Sequence, residues 1–202
     1  MTTQLTAPPI LEESPARPWP PPQGLWTYQD YRCLPDDGIS YEIIEGKLYM
    51  APAPRPKHQR VIAALFGYLW DFLQDHPQGE AFLSPIDLIL PGLASPVQPD
   101  VLFITQDRLG MVKEEFIEGV PDLIVEVLSP TNPAHDRRRK FQLYARAGVR
   151  EYWIVDPDDC RVDVYVLRGR AYAPLGNFGR NDQTASEVLP AFSVRVGDIC
   201  PD

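Results

Sequence analysis

The chain has few cysteines and no long hydrophobic run, and each scarcity excludes a class of protein. Its 202 residues include three cysteines, Cys33, Cys160 and Cys200, which lie far apart and form no C-x-x-C pair. Neither a disulfide framework nor a zinc site is indicated, so a reducing cytoplasm is the expected compartment. The N-terminus has no basic segment followed by an apolar one, and no apolar run is long enough to span a bilayer. We therefore expect a cytoplasmic protein with no membrane partner.

Positive charge is also scarce, because 19 Lys and Arg against 28 Asp and Glu give a net charge of −9 at pH 7. Nonspecific binding to nucleic acid comes mainly from neutralising phosphates, so this balance excludes broad electrostatic attachment to a polyanion. Any such contact must depend on a bound cation or on a local basic patch. The densest patch runs from Arg137 to Lys140 and continues with Arg146 and Arg150. Its alternative interpretation is a solvated helix face.

Proline, in contrast, is abundant, and many of the 23 prolines fall near the N-terminus or in turns. Residues 1–24 combine Pro with Thr, Ser and Glu and offer little that could pack, which predicts a flexible Pro-rich arm. Residues 25–202 are long enough and apolar enough to form a single domain with one buried core. The sequence contains neither an internal repeat nor a Gly-rich phosphate loop.

Hydrophobic patterns divide the domain into strands and helices of an α/β fold. The segment YEIIEGKLYM predicts a hairpin around Glu45-Gly46, and the apolar spacing from His58 to Leu73 predicts a helix. A short helix and loop are expected between Gln106 and Val120. Strands are predicted at QPDVLFIT, PDLIVEVL, EYWIVD and RVDVYVL. AFLSPIDLIL predicts a further strand with an interrupted start, and PGLASPVQ is a turn-rich crossing.

One predicted strand carries a charge that needs an explanation. The run from Asp122 to Leu128 is rich in Leu, Ile and Val, which suits a strand covered on both faces, yet Glu126 interrupts it. A carboxylate in such a strand is costly unless it meets a partner or a metal ion. A helix is expected to begin near Asp136, and on it Lys140 lies four residues from both Asp136 and Tyr144. These three side chains should share one helix face.

Two acids from strands and a lysine on an adjoining helix suit metal-assisted cleavage of phosphodiesters. Asp100 opens the apolar run VLFI, and together with Glu126 it could supply the oxygen ligands that Mg²⁺ prefers. Lys140 could orient a water or stabilise charge on the phosphate. Each residue also has a plainer explanation: Asp100 as a strand-entry residue, Glu126 in a structural ion pair, and Lys140 in a pair within its helix.

Four further residues are candidates for supporting roles. Glu42 in the hairpin is either a third acid beside the site or a solvent-facing residue of an edge strand. His58 lies in the first turn of its helix and could reach a phosphate or an acid, although a lone histidine is more often structural. Asp122 precedes Glu126 by four residues on the same strand face and is a reserve ligand, while Asp136 is an accessory candidate on the following helix.

The ordered set of segments resembles the PD-(D/E)XK superfamily of restriction-endonuclease-like nucleases, and within it a bacterial family of putative restriction endonucleases. The matching segments, from about Tyr41 to Val166, are YEIIEGKLYM, the helix start at His58, QPDVLFI, PDLIVEVLSP, the helix from Asp136 to Tyr144, and AGVREYWIVDP. The resemblance implies a restriction-endonuclease-like core with a mixed β-sheet flanked by helices. Leu128 stands where the superfamily places its lysine, so the resemblance implies that Lys140 replaces that lysine from the following helix.

The resemblance also implies a function and a set of site residues. Asp100 and Glu126 would be ligands of Mg²⁺ or Mn²⁺, and the catalytic set would be Glu42, Asp100, Glu126 and Lys140. The implied activity is that of a metal-dependent DNA endonuclease, with a homodimer expected by analogy with double-strand cutters of this fold. The acidic net charge and the displaced lysine leave open a catalytically inactive protein that binds nucleic acid or a protein partner. Hydrolysis of another phosphoester is a third possibility.

Overall fold

The computed structural model describes residues 19–51, 55–129 and 134–200, with the side chains of Ala51 and of residues 134–136 outside that description. Most of the predicted arm, up to residue 18, therefore lies outside the described residues. The helices are α1 (Tyr28–Tyr31), α2 (Pro56–Asp75), α3 (Ala134–Ala147) and α4 (Val196–Ile199), with a 3-10 helix at Gln106–Met111. The strands are β1 (Ser40–Ile44), β2 (Lys47–Ala51), β3 (Gly79–Leu83), β4 (Leu88–Leu90), β5 (Ala94–Val97), β6 (Val101–Thr105), β7 (Ile117–Glu118), β8 (Leu123–Val127), β9 (Glu151–Asp156), β10 (Arg161–Arg168) and β11 (Ala171–Gly179).

Two β-sheets organise these elements. The larger sheet has the strand order β11-β10-β9-β8-β6-β3, and the smaller has the order β2-β1-β5-β4-β7. In the larger sheet, β8 and β9 are parallel and connected through α3, whereas β6 with β8 and β9 with β10 are antiparallel. Both sheets are mixed, since β4 and β7 of the smaller sheet are also parallel. The predicted α/β class with mixed pairing is confirmed.

The division into two sheets was not predicted, and it depends on a break in one expected strand. AFLSPIDLIL forms β3, which pairs with β6, and β4, which pairs with β5 and β7. Pro85 lies between them and has no amide hydrogen to donate, so a ladder cannot continue regularly through it. The segment expected to be a turn-rich crossing contains β5. The interruption expected at the start of AFLSPIDLIL is present, but it separates two strands of different sheets rather than interrupting one strand.

Apolar side chains form two cores on opposite faces of the larger sheet. Helix α2 covers one face. Most of the apolar stripe that its spacing predicted is buried there, namely Val61, Ile62, Leu65, Leu69 and Leu73. Phe66, also in the predicted stripe, is only partly buried, and the prediction is wrong for Trp70, which is 50% exposed. Helix α3 and the smaller sheet cover the other face, where Leu143 and Tyr144 are buried. Strand β8 is buried along its whole length, as its continuous apolar pattern predicted. Within the described residues, no helix combines the length and the apolar character needed to cross a membrane.

The predicted hairpin is formed by β1 and β2, and it receives the chain that precedes it. Glu45 and Gly46 occupy the turn with φ angles of 51° and 70°, the left-handed pair that a tight hairpin turn requires. The Gly24 amide donates to the Gly46 carbonyl at 2.7 Å. A Cβ on Gly46 would lie 2.3 Å from the Gly24 carbonyl oxygen, so only glycine fits there.

Candidate active site

Glu126, the buried acid of β8, is held between two side chains of α3. Residues four apart on a helix lie one turn apart on the same face, and in α3 that face packs against β8. The Lys140 Nζ atom lies 3.1 Å from Glu126 Oε1 and 3.3 Å from Oε2. The Tyr144 hydroxyl donates to Glu126 Oε1 at 2.7 Å. The carboxylate therefore has an ammonium group and a phenol as partners within one strand-helix unit.

Glu42 reaches the same lysine from the smaller sheet. Strand β1 lies between β2 and β5, so it is an interior strand, and the Glu42 side chain is only 8% exposed. Glu42 Oε1 lies 2.9 Å from Lys140 Nζ and accepts a hydrogen bond from the Gln98 backbone amide at 3.2 Å. The interpretation of Glu42 as a solvent-facing residue of an edge strand is therefore wrong. Lys140 connects acids from both sheets.

Asp100 enters the cluster from the strand next to β8. It immediately precedes β6, and the antiparallel register of β6 and β8, continued by one residue, places it opposite Glu126. Opposed residues of an antiparallel pair share a face, with Cβ atoms about 4.5–5.5 Å apart. Asp100 Oδ2 accepts a hydrogen bond from the Val127 amide at 2.7 Å and lies 3.3 Å from His58 Nε2. The two acids predicted to act as metal ligands are thus cross-strand neighbours.

His58, in the first turn of α2, contacts the cluster through Asp100. Burial alone would lower the pKa of His58, but the hydrogen bond and the negative charge of Asp100 outweigh it and raise the pKa above its ordinary value. The other ring nitrogen, Nδ1, is buried and has no hydrogen-bond partner among the described residues. The expected contact between His58 and an acid is therefore present, and it restrains the Asp100 carboxylate.

The cluster contains more acidic than basic groups. Burial raises the pKa of Glu126 to about 7; Lys140 opposes this rise, and the charges of Asp100 and Glu42 add to it. Burial raises the pKa of Tyr144 well above its ordinary value, so its hydroxyl stays protonated and donates to Glu126. Three carboxylates close to one ammonium group favour the approach of a further cation.

The donor set fits a hard divalent cation in type. Mg²⁺ prefers oxygen ligands and is commonly held by one or two carboxylates together with waters and substrate phosphates. Asp100 and Glu126 can supply such oxygens from adjacent strands. Within the described ranges, no group of three or more His, Cys, Asp or Glu side chains is arranged to hold a metal ion. A cation held by Asp100 and Glu126 would therefore need water or phosphate to complete its ligands.

Asp122, the reserve ligand of the prediction, is not brought to this cluster. It lies before β8 on the same face as Glu126, but four strand residues span about 13 Å. Its carboxylate accepts hydrogen bonds from the Thr105 amide at 2.9 Å and hydroxyl at 3.0 Å. It also pairs with Arg108 at 2.5 Å and with Arg150 at 3.1 Å. These contacts are those of a structural ion pair at the other end of the strand.

Two contacting residues were missed from the sequence, and one predicted residue lies outside the description. Gln98 donates its backbone amide to Glu42, a contact that any non-proline residue could make and that the residue type therefore does not predict. The Gln98 side chain donates to Asp87 at 2.8 Å. Tyr144 was placed on the Lys140 face, but its bond to Glu126 was not foreseen. Asp136 belongs to the first turn of α3, and its side chain is outside the described residues.

Comparison with known proteins gives the family of the chain. Residues 28–197 match the Uma2 family model, which is described as "Putative restriction endonuclease". Two proteins of Synechocystis sp. (strain ATCC 27184 / PCC 6803 / Kazusa), uncharacterized proteins slr1290 and sll1609, are 30% and 28% identical to it. The matches cover 62% and 61% of this chain and 65% and 70% of those relatives, so the chain spans about two thirds of their length.

A solved structure shares the fold. The crystal structure of a putative nuclease belonging to DUF820 from Anabaena variabilis ATCC 29413 matches with a TM-score of 0.71 at 20% identity. The match covers 86% of this chain and 96% of that protein. It confirms the predicted restriction-endonuclease-like architecture, with mixed sheets flanked by helices. The family model matches residues 28–197, most of the 202 residues of this chain, so the chain belongs to the Uma2 family of putative restriction endonucleases.

Proposed function

We propose that this protein is a metal-dependent endonuclease that hydrolyses phosphodiester bonds in DNA. One observation carries the proposal: Lys140 on α3 contacts Glu42 and Glu126, acids from two different sheets. Asp100 stands opposite Glu126 on the neighbouring strand. Membership of the Uma2 family and the nuclease-like fold support the same activity. Chemically, oxygen ligands next to a positively charged donor suit the cleavage of a phosphate ester.

In the proposed mechanism Asp100 and Glu126 would hold Mg²⁺ or Mn²⁺. Such an ion, when bound, stabilises charge on the phosphate and lowers the pKa of a coordinated water. The protein keeps both acids in place before any ligand arrives. The Val127 amide and His58 restrain Asp100, and the Tyr144 hydroxyl restrains Glu126. Supporting contacts of this kind fix the orientation of metal-binding carboxylates.

Lys140 would act on the phosphate or on the attacking water. Its ammonium group can donate to a non-bridging phosphate oxygen or hold a water in position, and both actions stabilise the developing negative charge. Glu42 and Glu126 orient the ammonium group from two directions. Leu128, at the superfamily's usual lysine position, packs instead against the core under α3. Lys140 on α3 therefore supplies the positive charge that Leu128, directly after β8, does not.

Cleavage of supercoiled plasmid DNA in Mg²⁺ or Mn²⁺ tests the proposal. The wild type should convert the plasmid to nicked and linear forms, and Asp100→Ala and Glu126→Ala should lower this rate by about a hundredfold or more. Glu114→Ala, which removes an exposed loop acid, is the matched control and should cleave like the wild type. Unchanged cleavage by both Asp100→Ala and Glu126→Ala would refute the assignment.

A second candidate function is that of an inactive nuclease-fold protein that binds nucleic acid or a protein partner. The specific observation is that the Lys140 ammonium group already lies between Glu42 and Glu126 as their cation. Calorimetric titration with Mn²⁺, in the presence and absence of DNA, separates the two functions. Uptake that is lost in Asp100→Ala supports the nuclease. Absence of uptake by the wild type with DNA present supports the second function.

A homodimer and a cytoplasmic location complete the proposal. Double-strand cutters of this fold often act as pairs, and this analogy supports a second copy. Light scattering after size-exclusion chromatography measures the mass of the particle and would contradict the dimer if it gave a single chain. Cys33, Cys160 and Cys200 are all free thiols, which fits a reducing compartment.

A further inference from the structure

We infer that Arg137 and Arg138 form a surface that contacts the phosphate backbone of nucleic acid beside the acid cluster. We call these two residues the arginine surface. The inference rests on the proposed function, which supplies nucleic acid as the ligand. It adds the residues through which an acidic protein can bind a polyanion near Glu126.

Most of the basic patch already has partners within the protein. Four of its six cationic side chains have partners: Arg139 lies 3.8 Å from the centroid of the Tyr49 ring, Lys140 contacts Glu42 and Glu126, Arg146 pairs with Glu45, and Arg150 pairs with Asp122. Each of these charges is compensated or held against an aromatic ring. They are therefore less available to an external phosphate.

Arg137 and Arg138 differ from the rest of the patch. Within the described part of the chain, neither guanidinium forms a salt bridge with an acid, Arg138 is exposed, and Arg137 is partly exposed. An α-helix advances by about 100° per residue. Arg137 therefore stands about 60° around α3 from Lys140, and Arg138 stands about 160° away, on the solvent side. The pair extends from the edge of the acid cluster to the open surface of the helix.

The position of the arginine surface matters because the surrounding charge is unfavourable for a phosphate. The whole chain carries a net charge of −9 at pH 7, and Glu42, Asp100 and Glu126 meet at the site. Association with a polyanion requires positive groups that neutralise individual phosphates. Among the described residues Arg137 and Arg138 have no acidic partner, and both lie within one helical turn of Lys140 along the chain. Guanidinium groups also match phosphate geometry, since they can donate two parallel hydrogen bonds.

Salt-dependent binding of a labelled DNA duplex, measured by fluorescence anisotropy, tests the inference. EDTA in the buffer prevents cleavage and removes cation bridges, and the potassium chloride concentration is varied. Each neutralised phosphate contributes about 0.9 to the slope of log K against log salt. The Arg137→Gln/Arg138→Gln double variant should bind more weakly and lose about 1.8 from the slope, and each single variant should lose about 0.9.

Arg170→Gln is the matched control. Arg170 is exposed and lies in the β10–β11 turn, at the end of the sheet opposite to the last residues of β8 and β9. Its removal deletes the same charge and should leave the slope unchanged. An RNA duplex of the same sequence is the second probe. A slope loss with both probes assigns the contact to the shared phosphate backbone, and a loss with DNA alone assigns it to DNA; both results support the surface.

The inference is overturned if the wild type binds neither probe, or if the double variant keeps the wild-type slope. Arg138→Gln alone gives the same answer if the double variant does not fold, because Arg138 is exposed and has no acidic partner among the described residues. Plasmid cleavage keeps this outcome distinct from the proposed function. Wild-type cleavage together with an unchanged slope removes the arginine surface and leaves the nuclease, whereas absence of wild-type cleavage removes the nuclease itself.

Discussion

Asp122, which directly precedes β8, and Glu126, within β8, are buried carboxylates on the same face, with exposed fractions of 0% and 6%. Thr105 and two arginines surround Asp122. Burial alone would raise the pKa of Asp122, but the Thr105 amide and the Arg108 guanidinium outweigh it and hold the pKa below its ordinary value. Glu126 has one ammonium group, one phenol and two acidic neighbours, and burial raises its pKa to about 7. The same strand thus places two similar acids in opposite electrostatic environments.

This difference shows that compensation, rather than burial, separates a structural acid from a candidate catalytic one. Two guanidinium groups neutralise Asp122 completely, so it has no need of a further ligand. At the other end, Glu42, Asp100 and Glu126 outnumber the single ammonium group of Lys140, which leaves negative charge for a metal ion to neutralise. Strongly perturbed acids occur both in ion pairs and in active sites, and the sign of the local charge balance distinguishes them here.

The largest effect is expected from Lys140→Ala, which removes the ammonium group at the Glu126 end. The cleavage rate should fall by about 10²–10³-fold, because a positioned donor to the developing charge is lost. Affinity for Mn²⁺, measured by calorimetry, should change far less, since the lysine is not a metal ligand. Equal losses of rate and affinity would show that Lys140 organises the acids and has no separate role in the transition state.

The next largest effect is expected from Asp122→Ala, which should lower the free energy of unfolding. It leaves Arg108 and the Thr105 amide without their buried acceptor, and the loss in free energy of unfolding should be about 2–3 kcal/mol. Glu126→Gln is the comparison at the other end: glutamine keeps the side-chain volume and can still accept from Tyr144. Its loss should stay below about 1 kcal/mol, while Mn²⁺ binding weakens. Urea unfolding measures both variants, and an equal loss in the two would remove the distinction between the ends of β8.

The sequence contained enough information for the elements that local patterns specify. The unit from β8 through α3 to β9 was predicted from its two apolar strands and the residue spacing on its helix. Gly148, which follows the end of α3, takes a φ of 92° that glycine tolerates. The hairpin turn at Glu45-Gly46 and the buried stripe of α2 were predicted in the same way. What could not be predicted is the pairing of distant segments. The smaller sheet exists because β1, β5, β4 and β7 meet in space, and their spacing in the chain does not encode that arrangement.

The same limit applies to the site. Asp100 and Glu126 could be paired as candidates because each is an acid at or within a buried strand. The charge environments of Asp122 and Glu126 could not be distinguished from sequence alone, because the partners of Asp122 are Thr105, Arg108 and Arg150, on other parts of the fold. Charge compensation is a property of the assembled structure.

Tyr144→Phe sharpens the comparison with a smaller effect. Removal of the hydroxyl leaves Glu126 Oε1 without its 2.7 Å donor, and the free energy of unfolding should fall by about 1 kcal/mol. The turnover rate should also fall, by about tenfold, if Glu126 must be held in one orientation, while KM stays near the wild-type value. Tyr172→Phe is the matched control, because that hydroxyl donates to the Val149 carbonyl at 3.0 Å, away from the acids. It should lose similar stability and keep its rate; a rate loss of equal size in both variants would assign Tyr144 to folding alone.

The smallest expected effect is a loss of unfolding free energy at acid pH, as Asp122 becomes protonated. The pKa of Asp122 is lowered in the folded protein from the ordinary 3.8, so as pH falls the unfolded chain takes up the proton first. Stability from this carboxylate is fully present above pH 3.8 and is lost as pH falls through the folded pKa. Asp122→Asn has no such proton to bind, so the difference in unfolding free energy between wild type and variant should narrow below pH 3.8. Urea unfolding at a series of acid pH values measures this difference. A difference that stays constant would mean that Arg108 and Arg150 do not stabilise the charged form of Asp122. The contrast between the electrostatic environments of Asp122 and Glu126 would then be lost.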